Sequence, residues 1–300
     1  MTAFGDTSVL TMHGIDKPSP KEDEVLIKIA ATSVNPLDMK IRTGSMQEAM
    51  PIHFPFTPGL DVSGVIESKG EKVERLKVGD LVFATTFGGT YAEYIVLKEK
   101  NVSPIPQNIK LDEAVALAVP LNTSYNLLVE EPIEAGQKVL IHGAAGAVGS
   151  VAVQMAKAMG AYVIGTATGE GLELIQSLGA DEVIDYKNQD FTTIVKDVDR
   201  VLDLVGGETQ KKSYAVLKKG GLLLSTVMPT SNEMAQQHGV SAKFINSMPS
   251  LKKLTFGKNM VEENKIKPNI AKTMKLEDAG QAQDLVTKGG INGKIILEVN

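Results

Sequence analysis

The 300-residue chain predicts a two-part α/β protein, a β-rich N-terminal third followed by a doubly wound parallel sheet. Three observations carry this. The first hundred residues hold β-branched and aromatic runs between Gly, Pro and charged turns. From about Leu111 short apolar strands alternate with helical patterns, as in a parallel sheet covered by helices on both faces. At the first strand–helix junction of that half stands "IHGAAGAVGS", Ile141 to Ser150.

The bulk properties are those of a globular chain, with 43% hydrophobic and 22% charged residues. Net charge is -5 without a basic run, which disfavours nucleic acid as a partner. Cysteine is absent, so no disulfide, cysteine nucleophile or thiolate zinc site is possible. No signal peptide pattern opens the chain and no apolar run is long enough for a membrane span. A cytoplasmic setting is expected.

In order, "EVLIKIAATSV", "GVIES", "DLVFATT" and "YAEYIVL" read as strands. "LDEAVALAVPLNTSYNLLVEE" has apolar residues at helical spacing, with Asp112 and Glu113 suited to a first turn. "KVLIHG" is a short strand. The helix after it presents Val148, Val151, Ala152, Met155, Ala156 and Met159 on one face and ends at Gly160. "AYVIGTA" is the next strand and "LELIQSLG" the next helix; "EVIDY", "DRVLDLVG" and "GLLLSTV" continue the strands. Ser231 to Ser241 is polar, a loop or a surface helix. Beyond about Pro249 the pattern loosens, until "KLEDAGQAQDLVTKG" reads as a helix and "GKIILEV" as a closing strand.

The glycine stretch lies where a dinucleotide loop must lie, after a strand and opening a helix. Small residues let the backbone approach a pyrophosphate, whose charge meets the free N–H groups of the helix start. The frame reads A-A-G-A-V-G from Ala144 to Gly149, so Ala145, Gly146, Ala147, Val148 and Gly149 are candidate cofactor contacts. An NAD site usually has Asp or Glu at the end of the next strand for the ribose hydroxyls. Here stand Thr166, Ala167 and Thr168, and the first acid is Glu170. Without a carboxylate a 2′-phosphate is not repelled, and the threonine hydroxyls could donate to it. NADPH is expected over NADH.

Together these motifs are similar to the zinc-independent quinone oxidoreductases of the medium-chain dehydrogenase/reductase superfamily, the relatives of zeta-crystallin. The resemblance covers essentially the whole chain through "ATSVNPLDMKIRTG", "FPFTPGLDVSGVI", "VGDLVFA", "GGTYAEY", "KVLIHGAAGAVGSVAVQMAK", "LGADEVIDY", "DLVGGET", "LKKGGLLLS" and "GKIILEV". It implies a GroES-like β-barrel-type catalytic domain over residues 1–117, completed by 263–300, and a Rossmann dinucleotide-binding domain over 118–262, with the active-site cleft at their junction. It also implies Thr123 near the nicotinamide. Tyr186 and the Thr166–Thr168 loop would lie at the adenosine 2′-phosphate, with Val205, Gly206, Thr226 and Val227 along the dinucleotide. A homodimer is implied, "GGLLLSTV" being a strand that could meet its twin at a sheet edge. Two features depart from the family. A lysine found after the second strand in some relatives is replaced in the region of Glu170 and Leu172, and only "MTA" precedes Phe4 where relatives begin with a strand.

Where zinc-dependent relatives carry Cys, His and Cys, the resemblance places Asn35, Leu60 and Val119, with Asp61 at the acid beside the histidine. These cannot act as a ligand set, and His13, His53, His142 and His238 show no ligand spacing. No zinc and no flavin are expected. Hydride transfer without a metal remains: the nicotinamide supplies the chemistry and the protein aligns it. Asn35 is a candidate to bind the cofactor and meet a developing oxyanion, or a turn residue before Pro36. Tyr91 is a catalytic candidate lining the pocket, or a strand aromatic; Asp38 orients the cofactor or caps a short helix. The lysines of "GETQKKSYAVLKKGG" are read as a solvated helix face. The expected activity is NADPH-dependent reduction of a quinone or α,β-unsaturated carbonyl. The alternatives are an enoyl-thioester or 2-alkenal reductase on the same scaffold, and a dinucleotide-sensing or structural protein.

Overall fold

Runs of largely buried β-branched and apolar residues turn the first third into sheet. In the computed structural model, which describes residues 1–299, β1 (Glu24–Ser33) leads through α1 (Pro36–Arg42) to β2 (Asp61–Lys69), β3 (Leu81–Thr85), β4 (Tyr94–Lys98) and β5 (Val102–Pro104). Helix α2 (Leu111–Tyr125) follows, its end widening into a π turn over Asn126–Glu130. Then strands and helices alternate: β6 (Lys138–His142), α3 (Ala147–Ala158), β7 (Tyr162–Ala167), α4 (Glu170–Ser177), β8 (Glu182–Asp185), α5 (Phe191–Ile194), β9 (Val198–Asp203), α6 (Gly207–Ser213), β10 (Leu217–Ser225), α7 (Asn232–His238) and β11 (Ser241–Phe244). Helix α8 (Leu251–Glu262), β12 (Ile270–Lys275), α9 (Ala279–Lys288) and β13 (Lys294–Glu298) complete the described chain.

The chain divides into two units. One comprises Met1–Val119, Pro249–Glu262 and the segment from Pro268; the other comprises Pro120–Met248 with Glu263–Lys267. In the first, the sheet order is β12-β13-β1-β2-β3-β5, with β4 also paired to β1. Val25, Ile27, Ile29, Val62, Ile66 and Val82 fill its core. This is the GroES-like domain. The register decides what meets at its end: Ser33 of β1 lies opposite both Asp61 of β2 and Ile296 of β13. Asn35, two residues beyond Ser33, therefore comes level with Lys294, two residues before Ile296.

The second unit holds a parallel sheet in the order β11-β10-β9-β6-β7-β8. The chain works outward from β6 in one direction and then returns to β9 on its other side. That is the Rossmann order, and ligands bind beyond the carboxyl ends of the strands where the order reverses. Leu140, Ile164, Val201 and Leu223 supply the core.

Three expectations change, and one left open is decided. Residues 249–262 fall in the first unit rather than the Rossmann domain, because Gln107 N–H donates to Glu262 Oε1 and Asn108 Nδ2 to Val261 O. Ser231–Ser241 contains a helix, started by the Ser231 side chain accepting from Met234 N and ended at Gly239 in the left-handed conformation. Strand β10 is not at a sheet edge, since β11 covers it. Tyr91 is not a strand residue; it lies in a bend before β4.

Candidate dinucleotide cradle and buried polar network

Between β6 and α3 the backbone turns at Gly143, whose φ of 68° suits glycine. Ala144 N–H donates to Thr166 O, tying the loop to β7, and Gly146 is the N-cap of α3. The two later glycines serve different ends. A Cβ on Gly149 would collide with the Gly143 carbonyl oxygen and come 2.7 Å from Ala144 Cα, so Gly149 lets helix and strand pack closely. A Cβ on Gly146 would meet only Gly143 O, at 3.4 Å, an ordinary contact. Gly146 thus leaves open space facing the start of a twelve-residue helix, where Ala147 and Val148 present N–H groups ahead of the helical ladder. A pyrophosphate fits this cradle.

The other Rossmann candidates gather at the same carboxyl edge of the sheet. Asp203, fully buried at the end of β9, organises them. Its Oδ1 accepts from Val205 N (3.1 Å) and Gly206 N (2.7 Å); its Oδ2 accepts from Gln210 Nε2 and Ser225 Oγ; its carbonyl accepts from Thr226 N. Val227 N–H donates to Ser225 Oγ. Val205 is exposed and Gly206 takes φ 81°. Thr123 is buried on α2, and the neighbouring Ser124 hydroxyl donates to Val148 O at 3.5 Å. Tyr186 is exposed, its N–H on Ala167 O.

Thr166 does not act as the sequence suggests. Ser213 Oγ donates to Thr209 O, so it accepts from Nε2 of the buried His142 (3.0 Å). His142 Nδ1 then accepts from the Thr166 hydroxyl (3.2 Å). Burial lowers the His142 pKa to about 4 against the opposing charge of Asp203, which keeps this tautomeric chain neutral. The Thr166 proton is thereby committed inward. The Thr166 hydroxyl is therefore not left as the 2′-phosphate donor expected from sequence. Thr168 helps hold the carboxyl of Asp185, at the tip of β8, below its usual range.

In the first unit, Asn35 caps α1 and lies within a buried polar network. Its N–H donates to Asp38 Oδ2 (2.8 Å), so Asp38 does cap the helix. Its side chain is used elsewhere: Nδ2 donates to Asp61 Oδ2 (2.8 Å), and Oδ1 accepts from Lys294 Nζ. Lys294 also pairs with Asp61 Oδ2 at 3.0 Å; side-chain exposures are 3% and 0%. Ser33 Oγ donates to the same oxygen, and Val119 N–H reaches Asp61 Oδ1 at 2.8 Å, one residue before Pro120 breaks the regular ladder of α2. The Tyr91 hydroxyl is 3.4 Å from Asp38 Oδ2, and Gly59 N–H donates to Asp38 Oδ1. Burial raises the Asp38 pKa to about 7, against the Asn35 N–H and Lys294, which lower it. Burial, and then the charge of Asp38, push the Tyr91 phenol well above its usual range, so it stays protonated.

Sequence reading missed Lys294, Asp185 and Asp203. Lys294 did carry a signal, a lysine opening an otherwise apolar strand in "GKIILEV". The others are ordinary strand-end acids until the sheet is assembled.

A Rossmann cradle in one unit and a GroES-like sheet in the other define a medium-chain dehydrogenase/reductase, an NAD(P)H-dependent oxidoreductase. Residues 21–107 match the alcohol dehydrogenase GroES-like domain, and residues 178–297 match the family described as zinc-binding dehydrogenase. The chain is 31% identical to the quinone oxidoreductase of Mus musculus, with 98% of this chain and 95% of that one covered. It is 34% identical to the 2-methylene-furan-3-one reductase of Solanum lycopersicum, over 99% of this chain and 77% of that one. The Escherichia coli quinone oxidoreductase, solved in complex with NADPH, superposes with TM-score 0.91 at 26% identity, covering 99% and 98% of the two chains. The chain belongs to the quinone oxidoreductase-like family of the medium-chain dehydrogenases/reductases.

The zinc in the broader family's description does not fit these residues. Leu60 and Val119 offer no side-chain ligand, both ends of the Asn35 amide are engaged, and the Asp61 carboxylate is matched by the Lys294 ammonium. Among the described residues no three His, Cys, Asp or Glu side chains converge to hold a metal, and no helix is long and apolar enough to cross a membrane.

Proposed function

We propose that this oxidoreductase uses NADPH, without zinc, to reduce a quinone or an α,β-unsaturated carbonyl. The observation that carries the reading is the open face at Gly146 against the start of α3, a cradle for a pyrophosphate. NADPH is favoured because β7 ends in Thr166 and Ala167, followed by Thr168, with no acid, and because a structural relative was solved with that nucleotide. The bound nicotinamide would supply the hydride. The residues of this chain would bind and orient it: Ala145 to Gly149 at the pyrophosphate, Tyr186 and Thr168 at the adenosine end, Val205, Gly206, Thr226 and Val227 along the dinucleotide, and Thr123 towards the nicotinamide. Asn35 retains one amide N–H beyond that given to Asp61, the donor available to a developing oxyanion. Tyr91, protonated, would supply a proton once its hydroxyl turns from Asp38 to the acceptor.

The Lys294–Asp61 pair supports the zinc-free reading, because an ammonium balances the carboxylate with no metal. Consumption of NADPH with a panel of quinones, alkenals, enones and enoyl thioesters tests the proposal. Turnover with quinones or enones is expected; fastest turnover with enoyl thioesters would instead support the alternative substrate class. No turnover with any acceptor, despite nucleotide binding, would overturn the enzymatic reading in favour of a sensing role.

A further inference from the structure

In Rossmann folds that prefer NADH, the ribose acid stands at the end of the second strand, here β7. That strand ends without one, yet a carboxylate reaches the place from the next strand. Ala167 and Asp185 are register partners on β7 and β8, so Asp185 stands one strand spacing, about 4.8 Å, from the usual position. Thr168, the residue that follows β7, helps hold its carboxyl below the usual range.

Asp185 is held firmly. Its Oδ1 accepts from Lys187 N (3.1 Å) and its Oδ2 from Asn188 Nδ2 (2.7 Å), while its own N–H donates to Gln189 Oε1. The Lys187 N–H, followed by the Asn188 and Thr168 side chains, keeps the carboxyl below its usual range, so it is charged at neutral pH. A carboxylate has about four lone-pair sites, and the Lys187 and Asn188 bonds use two. Acceptor capacity is therefore left for a sugar hydroxyl, whereas a phosphate would meet like charge.

We propose that Asp185 is the specificity-determining residue for the adenosine ribose: it accepts from the ribose hydroxyls of NADH and disfavours the 2′-phosphate of NADPH. It limits the NADPH preference proposed above and keeps NADH a competing ligand. The inference rests on the dinucleotide reading of the Gly146 cradle. Asp185 lies on the edge strand β8 and is none of the groups assigned to proton or oxyanion contact.

The test is a fluorescence titration of the full chain with NADPH and NADH, for wild type, Asp185→Asn and Asp185→Ser, with far-ultraviolet circular dichroism to confirm the fold. Asparagine keeps one carbonyl acceptor for the turn, and serine removes the charge with a shorter side chain. The ratio of Kd for NADH to Kd for NADPH is expected to rise by about tenfold in both variants. Displacement of bound NADH by adenosine 2′,5′-bisphosphate should improve in parallel, relative to adenosine 5′-monophosphate. A ratio within about twofold of wild type, or one moving towards NADH, overturns the inference while leaving the cradle intact. If wild type binds neither nucleotide, the dinucleotide reading fails and the inference with it.

Discussion

Replacing Lys294 by methionine removes the ammonium but keeps much of the apolar stem. It strands the fully buried Asp61 carboxylate and leaves Asn35 Oδ1 without its donor. At 3.0 Å the pair interacts by about 5 kcal/mol at an effective dielectric near 20. Breaking one side of a buried pair typically costs about 3–5 kcal/mol. Asp61 would keep Ser33 Oγ, Asn35 Nδ2 and Val119 N–H, three uncharged donors, so the lower end, about 3 kcal/mol, is expected. Asp61→Asn alone should cost a similar amount, by stranding the ammonium. The double variant Lys294→Met/Asp61→Asn carries no buried charge and should lie within about 1 kcal/mol of wild type. Urea unfolding followed by circular dichroism measures all four corners of the cycle. Lys72→Met is the control, since Lys72 and Glu22 pair with exposures of 66% and 60%, and should change stability by less than about 1 kcal/mol. A Lys294→Met loss no larger than that control, or additivity of the two single losses, would refute the reasoning.

The two loop glycines should respond in opposite ways. Gly146→Asp places a preferred N-cap residue where the backbone already has φ -71° and ψ 175°, so thermal stability should hold or rise while nucleotide binding in a fluorescence titration is lost to charge repulsion; retained binding would contradict the cradle. Gly149→Ala should instead lose about 2 kcal/mol or more in chemical denaturation, because its Cβ meets backbone that cannot yield. Asp38 titrates at about 7 in the fold against 3.8 unfolded, so across that window the folded protein holds a proton that the unfolded chain has released. Its contribution to stability therefore falls as pH rises, and Asp38→Asn should gain about 2–3 kcal/mol on wild type between about pH 5 and 8, read from paired urea curves; parallel curves at the two pH values would contradict the assignment.

Periodicity and turn chemistry made most of the Rossmann half legible, because each of its strands and helices is a local pattern. The Gly143–Gly149 turn was legible for the same reason, although only the assembled backbone separates Gly146, which leaves ligand space, from Gly149, which permits packing. The Asn35–Asp61–Lys294 network was half visible. Asn35 and Asp61 stand in recognisable motifs, but Lys294 meets Asn35 across 259 positions of sequence, through the β1–β13 register. The absence of an acid after β7 was read correctly along the chain and incompletely in space, since Asp185 arrives from β8. Thr166 looked available because sequence does not show His142 and Ser213 taking its hydroxyl into the interior. Helix α8 was missed because its apolar spacing is diluted by lysines, and its packing is set by hydrogen bonds to Gln107 and Asn108.

We propose reduction by a nicotinamide dinucleotide with no metal in the site. It is tested most directly by single-turnover oxidation of NADPH with a quinone or enone, using protein stripped with a strong zinc chelator and checked for metal by elemental analysis. The rate should match that of untreated protein and be unchanged by added zinc. A rate that collapses on stripping and returns in proportion to bound zinc would contradict the account.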